Sequence, residues 1–220
     1  EITEMKIKAL IVMTMTAAAL LLPSCGKQPD KTSDANVNEP VEFGANITVS
    51  DSYAFRENDG RLYLWDLKTN SYEIFCTQPD CKHQTAAENA DTKCSAVAPK
   101  EGYFYNYAFL YNDTLYSICT GELNEFLIYT ADTDGMNRKL AFTAELSLCT
   151  MVNPVLDGGR LFFVGSEFEM NDTDSVGLRE NYSLCSVDLS DFSFEKYMDI
   201  GTANETVIGK KSLLLYKNKI

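Results

Sequence analysis

Cys76, Cys81, His83 and Cys94 stand within 19 residues of one another, in the order Cys-x4-Cys-x-His-x10-Cys. Three thiols and one imidazole suit tetrahedral zinc, which takes soft sulfur and borderline nitrogen donors. Four protein ligands make such a site structural, because no position is left for water. The rival chemistry is a disulfide: in an oxidising compartment Cys76 can pair with Cys94 or Cys81 and leave the third thiol free. Either arrangement staples the run from Gln84 to Lys93, which is too polar to hold itself by packing.

His83 is the only histidine in the chain, so a Ser-His or Cys-His nucleophile would have to be built around it. A ligand role consumes it, which leaves paired carboxylates as the route to hydrolysis. Asp132 and Asp134 lie in Asp-Thr-Asp-Gly, the opening of a calcium loop whose later ligands are missing, and a strand-connecting turn is expected there. Asn171-Asp172-Thr173-Asp174, after Glu167 and Glu169, is a second acidic loop, either solvated or able to take calcium. Tyr103, Tyr105, Tyr107 and Tyr111 alternate as if on one strand face, opposite Phe104, Ala108 and Leu110. With both faces apolar, that strand is expected to be buried between neighbouring units, although an aromatic row can also stack on sugar rings. Cys119, Cys149 and Cys185 sit singly in apolar runs and read as small buried thiols.

The elements that must position these residues are strands. From Gly44 onward, short runs of Tyr, Phe, Leu, Ile and Val alternate with Asp, Asn, Gly and Thr, and none keeps a helical period for three turns. The fold class is all-β. Arg61-Leu62-Tyr63-Leu64-Trp65-Asp66 followed by Tyr72-Glu73-Ile74-Phe75 reads as a hairpin. Comparable units start at Asn112, Gly158 and Gly209, and their leucines at 62, 115, 161 and 213 are spaced by 53, 46 and 52 residues. That is close to the length of a four-stranded propeller blade, so a propeller-like domain with three to four blades is expected. Acidic turns at Asp66, Asp132 and Asp188 repeat alongside.

With 220 residues, 45% of them hydrophobic, the chain can bury one core. Its 19 basic against 32 acidic residues give a net charge of -13, which repels phosphate backbones and argues against nucleic acid as a partner. At the other end of the size scale, Met5-Lys6-Ile7-Lys8 is a short cationic lead, before which residues 1–4 read as a start-site artefact. Ala9 to Leu22 is an uncharged run of 14 residues, the length of a signal-peptide core and short of the ~18 a bilayer span needs. Leu22-Pro23-Ser24-Cys25-Gly26 follows and resembles the lipobox of bacterial lipoproteins, with residues 1–24 as the signal peptide and Cys25 as the lipidated residue. An ordinary signal peptide with an incidental Cys25 is the alternative. Acyl chains contribute about 0.8 kcal/mol per buried methylene, so several chains on one cysteine make a stable anchor. Residues 25–43 contain almost nothing to bury until the last position and read as a linker, whose coil would reach roughly 20 to 25 Å from the membrane. Lipidation of Cys25 leaves six cysteines for the body.

Residues 44–220 are similar to a family of bacterial lipoproteins with propeller domains of unknown function, in which an Asp-Gly-x-Leu-Tyr strand precedes a Cys-x-x-Pro-x-Cys-x-His…Cys segment. Cys76-Thr77-Gln78-Pro79-Asp80-Cys81-Lys82-His83 and Cys94 match that segment. The resemblance implies more blades than this length holds, so a partial propeller is expected. Together these features predict an extracytoplasmic domain, anchored to the bacterial membrane through Cys25, that binds a glycan, a peptide or an envelope protein, with binding favoured over catalysis and the enzyme question left open. A carboxylate-dependent polysaccharide enzyme and a structural subunit of a surface complex are the rival expectations.

Overall fold

Side chains that alternate apolar and polar over five to eight residues cover one face of a pleated strand but not one side of a helix. Accordingly, all the long regular elements of the computed structural model are strands. It describes residues 41–89, 92–121, 125–149, 153–170 and 178–202. The leader, Cys25, the linker up to residue 40, the acidic loop Asn171 to Asp174 and the unit starting at Gly209 lie outside the described residues.

Three antiparallel sheets form among the described residues. The first contains β1 (Glu42–Gly44), β2 (Ile47–Val49), β3 (Tyr53–Asn58), β4 (Arg61–Asp66) and β5 (Ser71–Ile74), each bonded to the next. The second is the meander β6 (Phe104–Tyr111), β7 (Thr114–Thr120), β8 (Phe126–Ala131) and β9 (Lys139–Ala144). In the third, β10 (Ser147–Leu148) and β11 (Val155–Asp157) both pair with β12 (Arg160–Met170), which continues to β13 (Leu178–Asp188) and β14 (Phe194–Thr202). Among the described residues these sheets do not close into a barrel or a ring.

The hairpin turns explain the register. Asp59-Gly60, Asn112-Asp113 and Gly158-Gly159 all have positive φ, the conformation a tight two-residue hairpin requires. The acidic turns do a different job: Asp66 Oδ1 accepts the amides of Lys68 and Thr69, and Asp188 Oδ1 accepts the amide and hydroxyl of Ser190. Asp66, Asp132 and Asp188 each lead into the outermost strand of their sheet, β5, β9 and β14. The leucine marker is less uniform than the sequence spacing implies. Leu115 and Leu161 lie two strands from that edge, whereas Leu62 lies on β4, directly beside the edge strand. The 53-residue interval to Leu62 therefore compares unlike positions.

The second sheet is buried on both faces. Tyr53 and Phe55 of β3 and Leu62 and Leu64 of β4 meet Ala108, Leu110, Leu115 and Leu127 on one side. Phe109, Ile118, Phe126 and Ile128 meet Leu161, Phe163, Cys185 and Val187 on the other, with Phe126 and Phe163 stacked 4.4 Å apart. Each large side chain buried this way contributes roughly 1.5–3 kcal/mol. Tyr53 Oη ties the first two sheets as well, accepting the Leu110 amide at 2.9 Å and donating to its carbonyl.

The tyrosines of β6 do not share a face. A bulge between Tyr105 and Tyr107 takes up Asn106, so Tyr103 and Tyr105 turn towards the first sheet while Tyr107 and Tyr111 turn towards the third. Phe104 is exposed. The strand is nonetheless buried between neighbouring sheets, as its two apolar faces require.

Candidate metal centre

The cluster is built where β5 runs out. Phe75 is fully buried, its amide bonded to the Leu62 carbonyl, and this fixes Cys76 against the first sheet. Gln78, Pro79, Asp80 and Cys81 then form a turn in which the Cys81 amide reaches the Gln78 carbonyl. Pro79 presets the second turn position, and Asp80 takes a positive φ at the third, so the chain doubles back and returns Cys81 towards Cys76. His83 also has a positive φ, 51°, a costly conformation for a residue with a Cβ that persists only where its surroundings impose it. Arg61 Nε holds the His83 carbonyl at 3.1 Å.

Cys94 arrives from the far side of the loop. Its neighbours are pinned to the sheet: Ser95 Oγ donates to the Phe75 carbonyl, the Leu62 amide donates to the Ala96 carbonyl, and Val97 bridges to Arg61. The second sheet adds a brace. Arg138 Nη1 donates towards the Cys94 and Val97 carbonyls and Tyr105 Oη, and Tyr105 Oη lies 3.1 and 2.9 Å from the Ser95 and Val97 carbonyls, which share its one proton. Burial pushes the Tyr105 phenol well above its ordinary pKa, so it remains a donor.

This scaffold brings all four sequence-nominated residues together. The three Sγ atoms and one imidazole nitrogen lie within 4.8 Å of one another, and His83 Nδ1 stands 3.4 Å from Cys94 Sγ. Cys76 and Cys94 are buried, Cys81 and His83 half-buried. A tetrahedral zinc site with Zn–S bonds of about 2.3 Å has sulfur–sulfur edges of roughly 3.7 Å, so these four donors can hold one metal ion with small adjustments.

Backbone amides also face each of the three sulfurs. The amides of Gln78, His83 and Ala96, each two residues after a cysteine, donate to Cys76, Cys81 and Cys94 respectively. Amide donors stabilise a thiolate, and they orient it as outer-shell bonds orient a metal ligand. Cys76 is held far below the ordinary thiol range, chiefly by the hydrogen bond from Cys94, then by the Gln78 amide and Cys81, with His83 adding its charge. Cys94 is pushed up because it gives that hydrogen bond and because it is buried. The pair thus shares one proton, which a bound cation would displace.

The other nominated features resolve simply. None of the six described cysteines is in a disulfide. Cys119, Cys149 and Cys185 are buried, and burial raises the thiols of Cys119 and Cys185 to about 12 and about 11. The Asp-Thr-Asp-Gly segment is the β8–β9 turn: Asp132 Oδ2 accepts Asn137 Nδ2, and Asp134 Oδ1 accepts the Met136 amide. Cys25 lies outside the described residues.

Comparison of the chain with family models, curated proteins and solved structures found no match. Arg138 escapes sequence reasoning because its link to Cys94 spans two sheets and 44 residues, and Tyr105 stands out in the sequence only as one of a tyrosine row. Only the Asp-Gly turn just before Arg138 marks that region in the sequence.

Proposed function

We propose that residues 44–220 form a propeller-like binding domain, held outside the cytoplasm by lipid on Cys25, whose Cys76, Cys81, His83 and Cys94 hold a structural zinc ion. The observation that carries the metal part of this reading is the complete donor set, three amide-supported sulfurs and an imidazole within 4.8 Å. Such a set leaves no open position for a reactive water. Each cysteine Sγ takes an amide donor, an arrangement that favours a bound thiolate over a disulfide.

Three stacked antiparallel sheets, each ending in an acidic turn and an edge strand, support the propeller reading over a two-sheet sandwich. A binding role fits better than catalysis. The sole histidine faces Cys94, and Asp66, Glu88, Asp188, Asp191 and Asp199 are all shifted down, the direction of ionised hydrogen-bond acceptors and opposite to that of a general acid.

Metal analysis of protein purified with and without reductant tests the centre. Stoichiometric zinc that disappears in Cys94→Ser supports it; an intact mass lowered by the loss of hydrogens, with no metal, means a disulfide instead. Membrane fractionation of wild type against Cys25→Ala tests the anchor, and an unchanged membrane fraction would sink it.

A further inference from the structure

A cavity of about 420 Å³ opens beside the metal centre, between the cysteine segment and the β8–β9 turn. That volume lies within the range of small-molecule sites. In a chain with a net charge of -13, its lining is anomalous: Lys93, Arg138 and Lys139 contribute, and among the described residues no carboxylate does. None of these three cations forms an ion pair among the described residues. Arg138 is also fixed, because its hydrogen bonds to Cys94, Val97 and Tyr105 all run through Nη1. A guanidinium held in place by one nitrogen is preorganised to receive an anion through the others.

The remaining lining specifies more than charge. Tyr129 supplies an aromatic wall, and burial pushes its phenol up to about 12, so it stays protonated and can donate. Gln78 and Asn137 both line the cavity, and each uses one of its two amide hydrogens: Gln78 Nε2 donates to the Lys93 carbonyl at 2.7 Å, and Asn137 Nδ2 to Asp132 Oδ2 at 2.6 Å. Their side-chain oxygens are left as acceptors, which a carboxylate cannot use and hydroxyl groups can. A ring face, hydroxyl acceptors and cations together describe a sugar that bears a carboxylate.

We infer that this cavity binds the acidic residue of a saccharide, a uronic acid of one or two rings. The inference rests on the binding-domain reading and deepens it by naming the ligand class. The metal centre shapes the site, since Gln78 lies between Cys76 and Cys81, Lys93 precedes Cys94, and the Gln78–Lys93 bond joins the two arms of the staple.

Calorimetric titration of the full zinc-loaded chain with digalacturonate, neutral digalactose and a Glu-Glu dipeptide tests it. Digalacturonate should bind at least about tenfold more tightly than digalactose and lose affinity with added salt. The double variant Lys93→Gln, Lys139→Gln alters two exposed side chains and should weaken digalacturonate by about tenfold or more, with zinc content and melting temperature unchanged. Equal binding of both sugars, or an unaffected double variant, overturns the inference yet leaves a glycan-binding domain standing. Binding of the dipeptide alone overturns it and assigns the cavity to acidic peptides. No binding of any of the three at millimolar concentration also overturns it.

Discussion

His83 Nδ1 stands 3.4 Å from Cys94 Sγ, although the two residues are 11 positions apart and joined by a polar loop. The contact exists because Arg61 holds the His83 carbonyl while Ser95 and Ala96 are bonded to the first sheet, so both ends of the loop are fastened independently of any ion. The centre is therefore largely preorganised, and a metal would complete it.

His83→Ala should weaken zinc by about 10- to 100-fold in competition with a chromogenic chelator, since a water would replace the imidazole. His83→Cys restores a fourth soft donor and should recover most of that loss. Equal affinities for wild type and His83→Ala would remove His83 from the ligand set.

Gly135→Ala should lower stability by about 1–3 kcal/mol in urea denaturation. Gly135 has φ +81°, and a Cβ there would stand 2.5 Å from Ser95 Cβ and 2.7 Å from the Phe75 ring. Because those residues flank Cys94 and Cys76, chelator extraction of zinc should also speed up. A variant as stable as wild type would show that the β8–β9 turn does not brace the cysteine segment.

Asp188→Asn should lower the melting temperature by a few degrees at neutral pH and make no difference in acid. The Ser190 hydroxyl and amide, then Arg160, hold the Asp188 carboxyl below its ordinary value of 3.8. A group depressed in the folded state contributes stability above its unfolded pKa and loses it as pH falls through the folded one. The gap between the two proteins should thus close as pH drops below about 4. A gap that persists at pH 2 would mean the turn depends on Asp188's shape and not on its charge.

Much of the all-β character was open to sequence reading because period-two alternation and Asp, Asn and Gly turns are local signals. The four candidate ligands were equally legible, lying within 19 residues at spacings that suit one ion. Two regularities misled. The leucine repeat paired Leu62 with Leu115 because both follow a left-handed turn, yet they occupy different strands of their sheets. The tyrosine row of β6 kept its alternation in sequence, but the bulge at Asn106 reverses the faces, and nothing in a single sequence marks where an extra residue is absorbed.

Residue types and short spacings thus determined the donor set, the strands and the acidic surface, since each depends on chemistry confined to a few neighbouring positions. Tertiary structure alone decided the burial of the second sheet on both faces, the Arg138 and Tyr105 brace on Cys94, and the cationic cavity beside it. Those arise where the cysteine segment of one sheet meets the β8–β9 turn of the next, and only packing brings such distant stretches of chain together.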